Sequence, residues 1–266
     1  MEFRTVVDIP VMGLEIRPCE ELLFVGSCFA DAIGQRFRDE GFPVTVNPFG
    51  TMYNPASVLH TIERYEGSPR VVFITLGTNH VYRLKATDEI VDNCEKRPAA
   101  LFQEEELTVE QCAGYLRQAV DVLRKRREDV QVVLTVSPIR YRKYGYHESQ
   151  LSKATLLLAV SALLHQPSNI YYFPSYEILM DELRDYRFYA ADMLHPSEQA
   201  VSYIWERLVN SCFSAEAKTF LAEWHPIKQA LSHKPFNPES PEYKDFMDKT
   251  MLKLSELRKK YTTFAL

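Results

Sequence analysis

No stretch of this chain approaches the roughly 18 consecutive apolar residues that a membrane-crossing helix needs. Positive charge is not in excess either. The net charge of the 266 residues is −5, which argues against sequence-independent binding to nucleic acid. The first residues, Met1-Glu2-Phe3-Arg4, lack the charged-then-apolar pattern of a secretory leader. Cysteine is sparse: five residues, at 19, 28, 94, 112 and 212, with no CxxC pair and an odd total. That excludes a disulfide frame and a zinc knuckle and points to a reduced, cytoplasmic setting. The seven histidines are dispersed and show no metal-ligand spacing such as HExxH. Neither a metal nor another cofactor is therefore expected. Internal repeats and low-complexity tracts are also missing.

What the chain does contain is alternation. Apolar runs at 22–25, 44–46, 71–76, 130–136 and 170–173 read as strands. Segments at 28–40, 56–65, 107–128, 150–165 and 197–210 read as helices, and 81–84 with 89–93 reads as a small hairpin. Uninterrupted apolar strands between amphipathic helices predict an α/β fold, a three-layer α/β/α sandwich around a parallel sheet. In such sheets ligands bind outside the carboxyl ends of the strands. Gly26-Ser27, Asn47 to Gly50, Gly77 to Asn79, Ser137-Pro138 and Pro174-Ser175 all fall there. After about Cys212 the pattern changes to scattered aromatics and prolines and then a charged helix, 243–261. The expected division is a domain over 1–211 and a C-terminal helical appendage over 212–266.

The first strand leads into Gly26-Ser27-Cys28-Phe29-Ala30. A nucleophile on a strand-to-helix turn lies beside unpaired backbone N–H groups at a helix N-terminus, which can stabilise an anion. This stretch resembles the GSCFA-domain family, a bacterial group similar to the SGNH/GDSL hydrolases. Thr75-Leu76-Gly77-Thr78-Asn79, Asn93-Cys94-Glu95-Lys96 and Arg184 through Pro196 carry the same resemblance. It covers most of the chain, from about Val25 to Trp205, and implies an SGNH-hydrolase-like, flavodoxin-like sheet. It also implies roles. In Asp192-Met193-Leu194-His195, His195 would be the base and Asp192 its orienting carboxylate. The nucleophilic serine of the superfamily falls on Cys28 when the first block is placed without a gap, and on Ser27 after a shift of one. Asp31, three residues past Cys28, favours Cys28. Asn79 and Gly50 would be the oxyanion donors, and His80 stands where the superfamily usually has an aspartate.

Gly77, His80, Tyr82, Arg83, Lys96 and Arg140 are further candidates for contact with substrate. Tyr82 and Arg83 also fit a solvated hairpin, and Lys96 an exposed loop. Arg140-Tyr141-Arg142-Lys143-Tyr144 is a basic-aromatic run just past a strand end, suited to a phosphate, a carboxylate or a sugar, with His147 and Lys153 at its border. Three functions follow from the resemblance: an esterase acting on a small-molecule or carbohydrate ester, an acyltransferase to a sugar hydroxyl, or a ligand-binding module that kept the fold without the chemistry.

Overall fold

The computed structural model describes residues 4–94, 96–164 and 169–265. Five strands form the main sheet: β1 (Leu22–Gly26), β2 (Val44–Val46), β3 (Val71–Leu76), β7 (Gln131–Val136) and β8 (Ile170–Tyr172). All pair in parallel, in the order β2-β1-β3-β7-β8. The expected parallel sheet is therefore present, with each strand within a residue or two of its predicted place.

Period-two alternation divides the core into two layers. Leu22 and Phe24 of β1 face one apolar cluster; Leu23 and Val25 face the other. The first layer is built by α1 (Cys28–Asp39), α6 (Glu198–Cys212), α7 (Ala215–Ser232) and α8 (Pro241–Lys260). Here Phe24 stacks on Phe73 with ring centroids 4.5 Å apart, and Phe37 meets Trp205 edge-on at 4.7 Å. The second layer comprises α2 (Pro55–Arg64), α3 (Val109–Arg126) and α4 (Tyr146–Leu164).

Three departures from the sequence reading stand out. The hairpin β4 (His80–Leu84) and β5 (Glu89–Val91) gains a third strand, β6 (Phe102–Glu106), which pairs antiparallel with β4. Residues 215–232 form a helix that continues through Pro226, although proline ordinarily interrupts one. After β8 the chain makes a short turn of helix, α5 (Ser175–Glu177), that widens into a π-helix over Ile178–Leu183. Glu95 and the predicted helix end at His165 lie outside the described residues.

The C-terminal helices pack on the far end of α1. Trp224 Nε1 donates to the Asp39 carbonyl at 3.5 Å, and Lys228 pairs with Glu40 at 2.9 Å. The Ala265 amide donates to the Gly41 carbonyl at 2.9 Å. Gly41 has a φ of 78°, and a Cβ there would stand 1.9 Å from the Phe264 ring. Only glycine suits both conditions.

Candidate active site

The turn between β1 and α1 is shaped by close backbone approach. Gly26 adopts a φ of 140°, and an added Cβ would lie 2.0 Å from the Thr75 carbonyl oxygen. Its amide donates to Asn47 Oδ1 at 2.8 Å, and Asn47 Nδ2 donates to Asp31 Oδ1 at 2.9 Å. Asp31 thus ties the β2–α2 loop to the first turn of α1. Ser27 is the N-cap: its Oγ accepts from the Phe29 amide at 3.3 Å, which satisfies one orphan donor of the helix. The hydroxyl also lies 3.1 Å from Thr75 Oγ1. With 1 % of its surface exposed, Ser27 is turned into the sheet layer, away from solvent.

Cys28 follows as the first residue of α1 and remains partly exposed. Its Sγ is 3.6 Å from the hydroxyl of Tyr53. The other cysteines differ. Cys19, Cys112 and Cys212 are buried, and burial pushes each thiol up to about 12. Burial also raises the Cys94 thiol.

Asp192 and His195 form a direct pair. His195 Nδ1 is 2.6 Å from Asp192 Oδ2, and both side chains are 45 % exposed. Asp192 Oδ1 accepts from the backbone amides of His195 and Leu194, at 3.0 and 2.9 Å. Met193 takes a φ of 60°, letting the loop fold back on its own carboxylate. Those two backbone bonds, followed by the bond from the His195 ring, hold the Asp192 carboxyl down at about 2. It is anionic across the working range. With Nδ1 engaged, Nε2 is the ring nitrogen presented to a reactant.

A run of contacts leads from Cys28 towards the loop that carries Asp192 and His195. Arg36, in the last turn of α1, donates to Ser202 Oγ of α6 at 2.7 Å and pairs with Glu198 at 3.2 Å. Tyr53 lies beside Tyr141, with ring centroids 6.5 Å apart. The neighbouring Arg140 donates its amide to the Leu194 carbonyl at 3.1 Å and its guanidinium to the Met193 carbonyl at 3.2 Å. Arg140 also lies over Tyr146, Tyr189 and Tyr186. Cys28, Tyr53, Tyr141, Arg140 and the His195 loop thereby form one contiguous edge.

Other expected site residues are engaged elsewhere. The Gly50 amide donates to the Asn47 carbonyl at 2.9 Å. Asn79 is buried, and its Nδ2 donates to the Leu107 carbonyl at 2.8 Å. Its own amide donates to Ser152 Oγ at 3.0 Å. The Gly50 amide thus closes a turn, and one hydrogen of Asn79 Nδ2 fastens the start of β4 to the chain just before α3. The Gly77 and Thr78 amides both donate to the Tyr53 carbonyl at 2.8 Å. His80 stacks on Tyr144 at 3.9 Å, and burial lowers its basicity. The Tyr82 hydroxyl is 3.1 Å from that of Tyr144 and also accepts from Lys143. Arg83 is held by Glu105 at 3.0 Å and by the Asp88 carbonyl, which supports the hairpin reading. Lys96 is exposed on its loop.

Two residues carry more than sequence reasoning assigned them. Tyr53 had no assigned role. Lys153, named only as a border residue, is 3 % exposed and donates to the carbonyls of Gly77 at 2.7 Å and Ser137 at 2.8 Å. Among the described residues it makes no ion pair. Burial alone pushes its ammonium down to about 7. Among the described residues, no group of three or more His, Cys, Asp or Glu side chains could hold a metal, and no helix is long and apolar enough to cross a membrane.

Residues 21–70 and 68–208 match the model of the GSCFA family, and residues 224–266 match that of the GSCFA domain protein C-terminal domain. Comparison with curated proteins gives no significant match. Similar solved structures include a carbohydrate esterase family 3 protein from Talaromyces cellulolyticus. It is 10% identical with a TM-score of 0.43, over 71% of this chain and 94% of that one. A GDSL-like lipase from Parabacteroides merdae is 14% identical with a TM-score of 0.45, over 74% and 98%. A family two carbohydrate esterase from Clostridium thermocellum is 12% identical with a TM-score of 0.42, over 73% and 64%.

Proposed function

Given that this chain belongs to the GSCFA family, we propose that it is an acyl-ester hydrolase with Cys28 as nucleophile, His195 as general base and Asp192 as the group that orients His195. The observation that carries this reading is the 2.6 Å Asp192–His195 pair, whose loop is held by Arg140, together with a partly exposed cysteine at a helix N-terminus whose neighbour Tyr53 lies beside Tyr141. Cys28 is favoured over Ser27 because the serine hydroxyl is buried and engaged with Thr75, whereas Cys28 is partly exposed.

The steps follow from these positions. His195 Nε2 takes the thiol proton, and the sulfur lone pair attacks the acyl carbon while the carbonyl π pair moves to oxygen. The oxyanion re-forms the carbonyl and breaks the bond to the alkoxide, which leaves with the proton from His195. Water, deprotonated by His195, then attacks the thioester carbon; the carbonyl re-forms as the C–S bond breaks, and His195 returns its proton to the departing sulfur. Asp192 fixes the imidazole tautomer and stabilises its cationic form throughout. The open setting of His195 gives water access to the thioester, favouring hydrolysis over transfer to a sugar hydroxyl. Tyr53, Tyr141 and Tyr144 along the edge suit an acylated sugar as substrate.

Labelling with iodoacetamide, read by mass spectrometry, tests the nucleophile. Cys28 should react fastest of the five cysteines, and Cys28→Ala should abolish turnover of short acyl esters. Modification of Ser27 by a fluorophosphonate with Cys28 unlabelled would move the role to Ser27.

A further inference from the structure

A tetrahedral oxyanion at Cys28 needs hydrogen-bond donors aimed at it. Of the two expected from the family pattern, the Gly50 N–H serves the Asn47 carbonyl, and one of the two Asn79 Nδ2 hydrogens serves the Leu107 carbonyl. The Gly77 and Thr78 amides are also taken, both by the Tyr53 carbonyl. One backbone donor remains on the first turn of α1, the N–H of Cys28, which has no intrahelical partner. The nearest side-chain donor is the hydroxyl of Tyr53, 3.6 Å from the sulfur.

We propose that Tyr53 is a catalytic residue of this site, its hydroxyl donating to the oxyanion in the role Asn79 was expected to fill. The assignment rests on the hydrolase reading above and adds a group to it. Its support is positional. The same two amides that could have faced the substrate instead clamp the Tyr53 main chain, so the backbone that carries the ring is anchored to the end of β3. Asn54, the next residue, caps α2 by accepting from the Ser57 amide at 2.9 Å, which fixes the chain on the other side. A donor held in advance needs little reorganisation when charge develops. Burial, then the Cys28 hydrogen bond, push the hydroxyl's proton affinity up, so it remains a donor near neutral pH. In the attack step the carbonyl π pair moves to the acyl oxygen, and Tyr53 O–H hydrogen-bonds that oxygen without giving up its proton. When the oxyanion collapses, the bond weakens and the phenol is unchanged.

Tyr53→Phe removes one oxygen and keeps the ring. On p-nitrophenyl acetate the expected result is a fall in kcat of about 10²-fold, with KM within threefold and Tm unchanged. A change confined to KM would reassign Tyr53 to ground-state binding and overturn the role. A kcat within twofold of the parent would overturn it as well. If the parent itself cleaves no acyl ester, the hydrolase reading fails and takes this role with it. An active parent with an unaffected Tyr53→Phe variant sinks the Tyr53 assignment alone.

Discussion

Replacing Lys153 by methionine should change how native stability depends on pH. The lysine is fully buried, and burial moves its ammonium from the ordinary 10.5 to about 7. At 1.36 kcal/mol per pH unit, that displacement is worth about 5 kcal/mol. The direction follows from proton counting. Below about pH 7 both folded and unfolded chains hold the proton, and the folded state bears the whole penalty. Between about 7 and 10.5 the unfolded chain holds it and the folded chain does not, so native stability rises with pH. Above 10.5 neither holds it and the penalty is gone. Lys153→Met has no such group. Its loss leaves the Gly77 and Ser137 carbonyls short of a donor, which costs about 1–3 kcal/mol each at every pH. That offset cancels when pH values are compared. Urea unfolding at pH 7 and 9.5 should therefore show the parent gaining about 3 kcal/mol relative to the variant. A difference that stays constant within about 1 kcal/mol would mean that the ammonium reaches water, contrary to its placement between the two strand ends.

Two further outcomes follow from close contacts. Asn79→Ala should leave kcat within about threefold of the parent but lower stability by about 1–3 kcal/mol, because the Leu107 carbonyl loses its partner; a 10²-fold loss of kcat in a well-folded variant would restore Asn79 to the oxyanion site. Gly26→Ala should cost more than about 3 kcal/mol or prevent folding, since the new methyl meets the Thr75 carbonyl and φ lies where alanine is strained; chemical denaturation of a soluble variant at near-parent stability would refute the geometry of the turn.

The centre of the main sheet was legible because β1, β3 and β7 are buried on both faces. Val71–Leu76 and the run before Gly26 have no polar alternation to confuse with another element. Strand β6 was not legible. Its sequence, Phe-Gln-Glu-Glu-Glu, has little apolar character, and it is a strand because β4 offers a partner edge. Pro226 hid α7 in the same way, since packing of Phe220 and Trp224 into the core outweighs one missing hydrogen bond. Within the site, Asp192 and His195 were readable because three residues of spacing suffice to bring them together. Tyr53 was not, because its importance depends on amides of Gly77 and Thr78 far along the chain. The bond from Asn79 Nδ2 was hidden for a related reason: the carbonyl that accepts it belongs to Leu107, 28 residues away.

Helix α1 begins at Cys28 and ends beside Glu40 and Gly41, where Lys228, Phe264 and the Ala265 amide hold it. Twelve residues of helix span about 18 Å. Cys28 and the last described residues of the chain therefore lie at the two ends of one stiff rod. A tag, a clip or a partner that displaces the Phe264 ring works at the far end of that rod, and a tilt of a few degrees there moves the sulfur relative to an imidazole carried on a separate loop. A C-terminal segment remote from Cys28 thus bears on the helix that carries it.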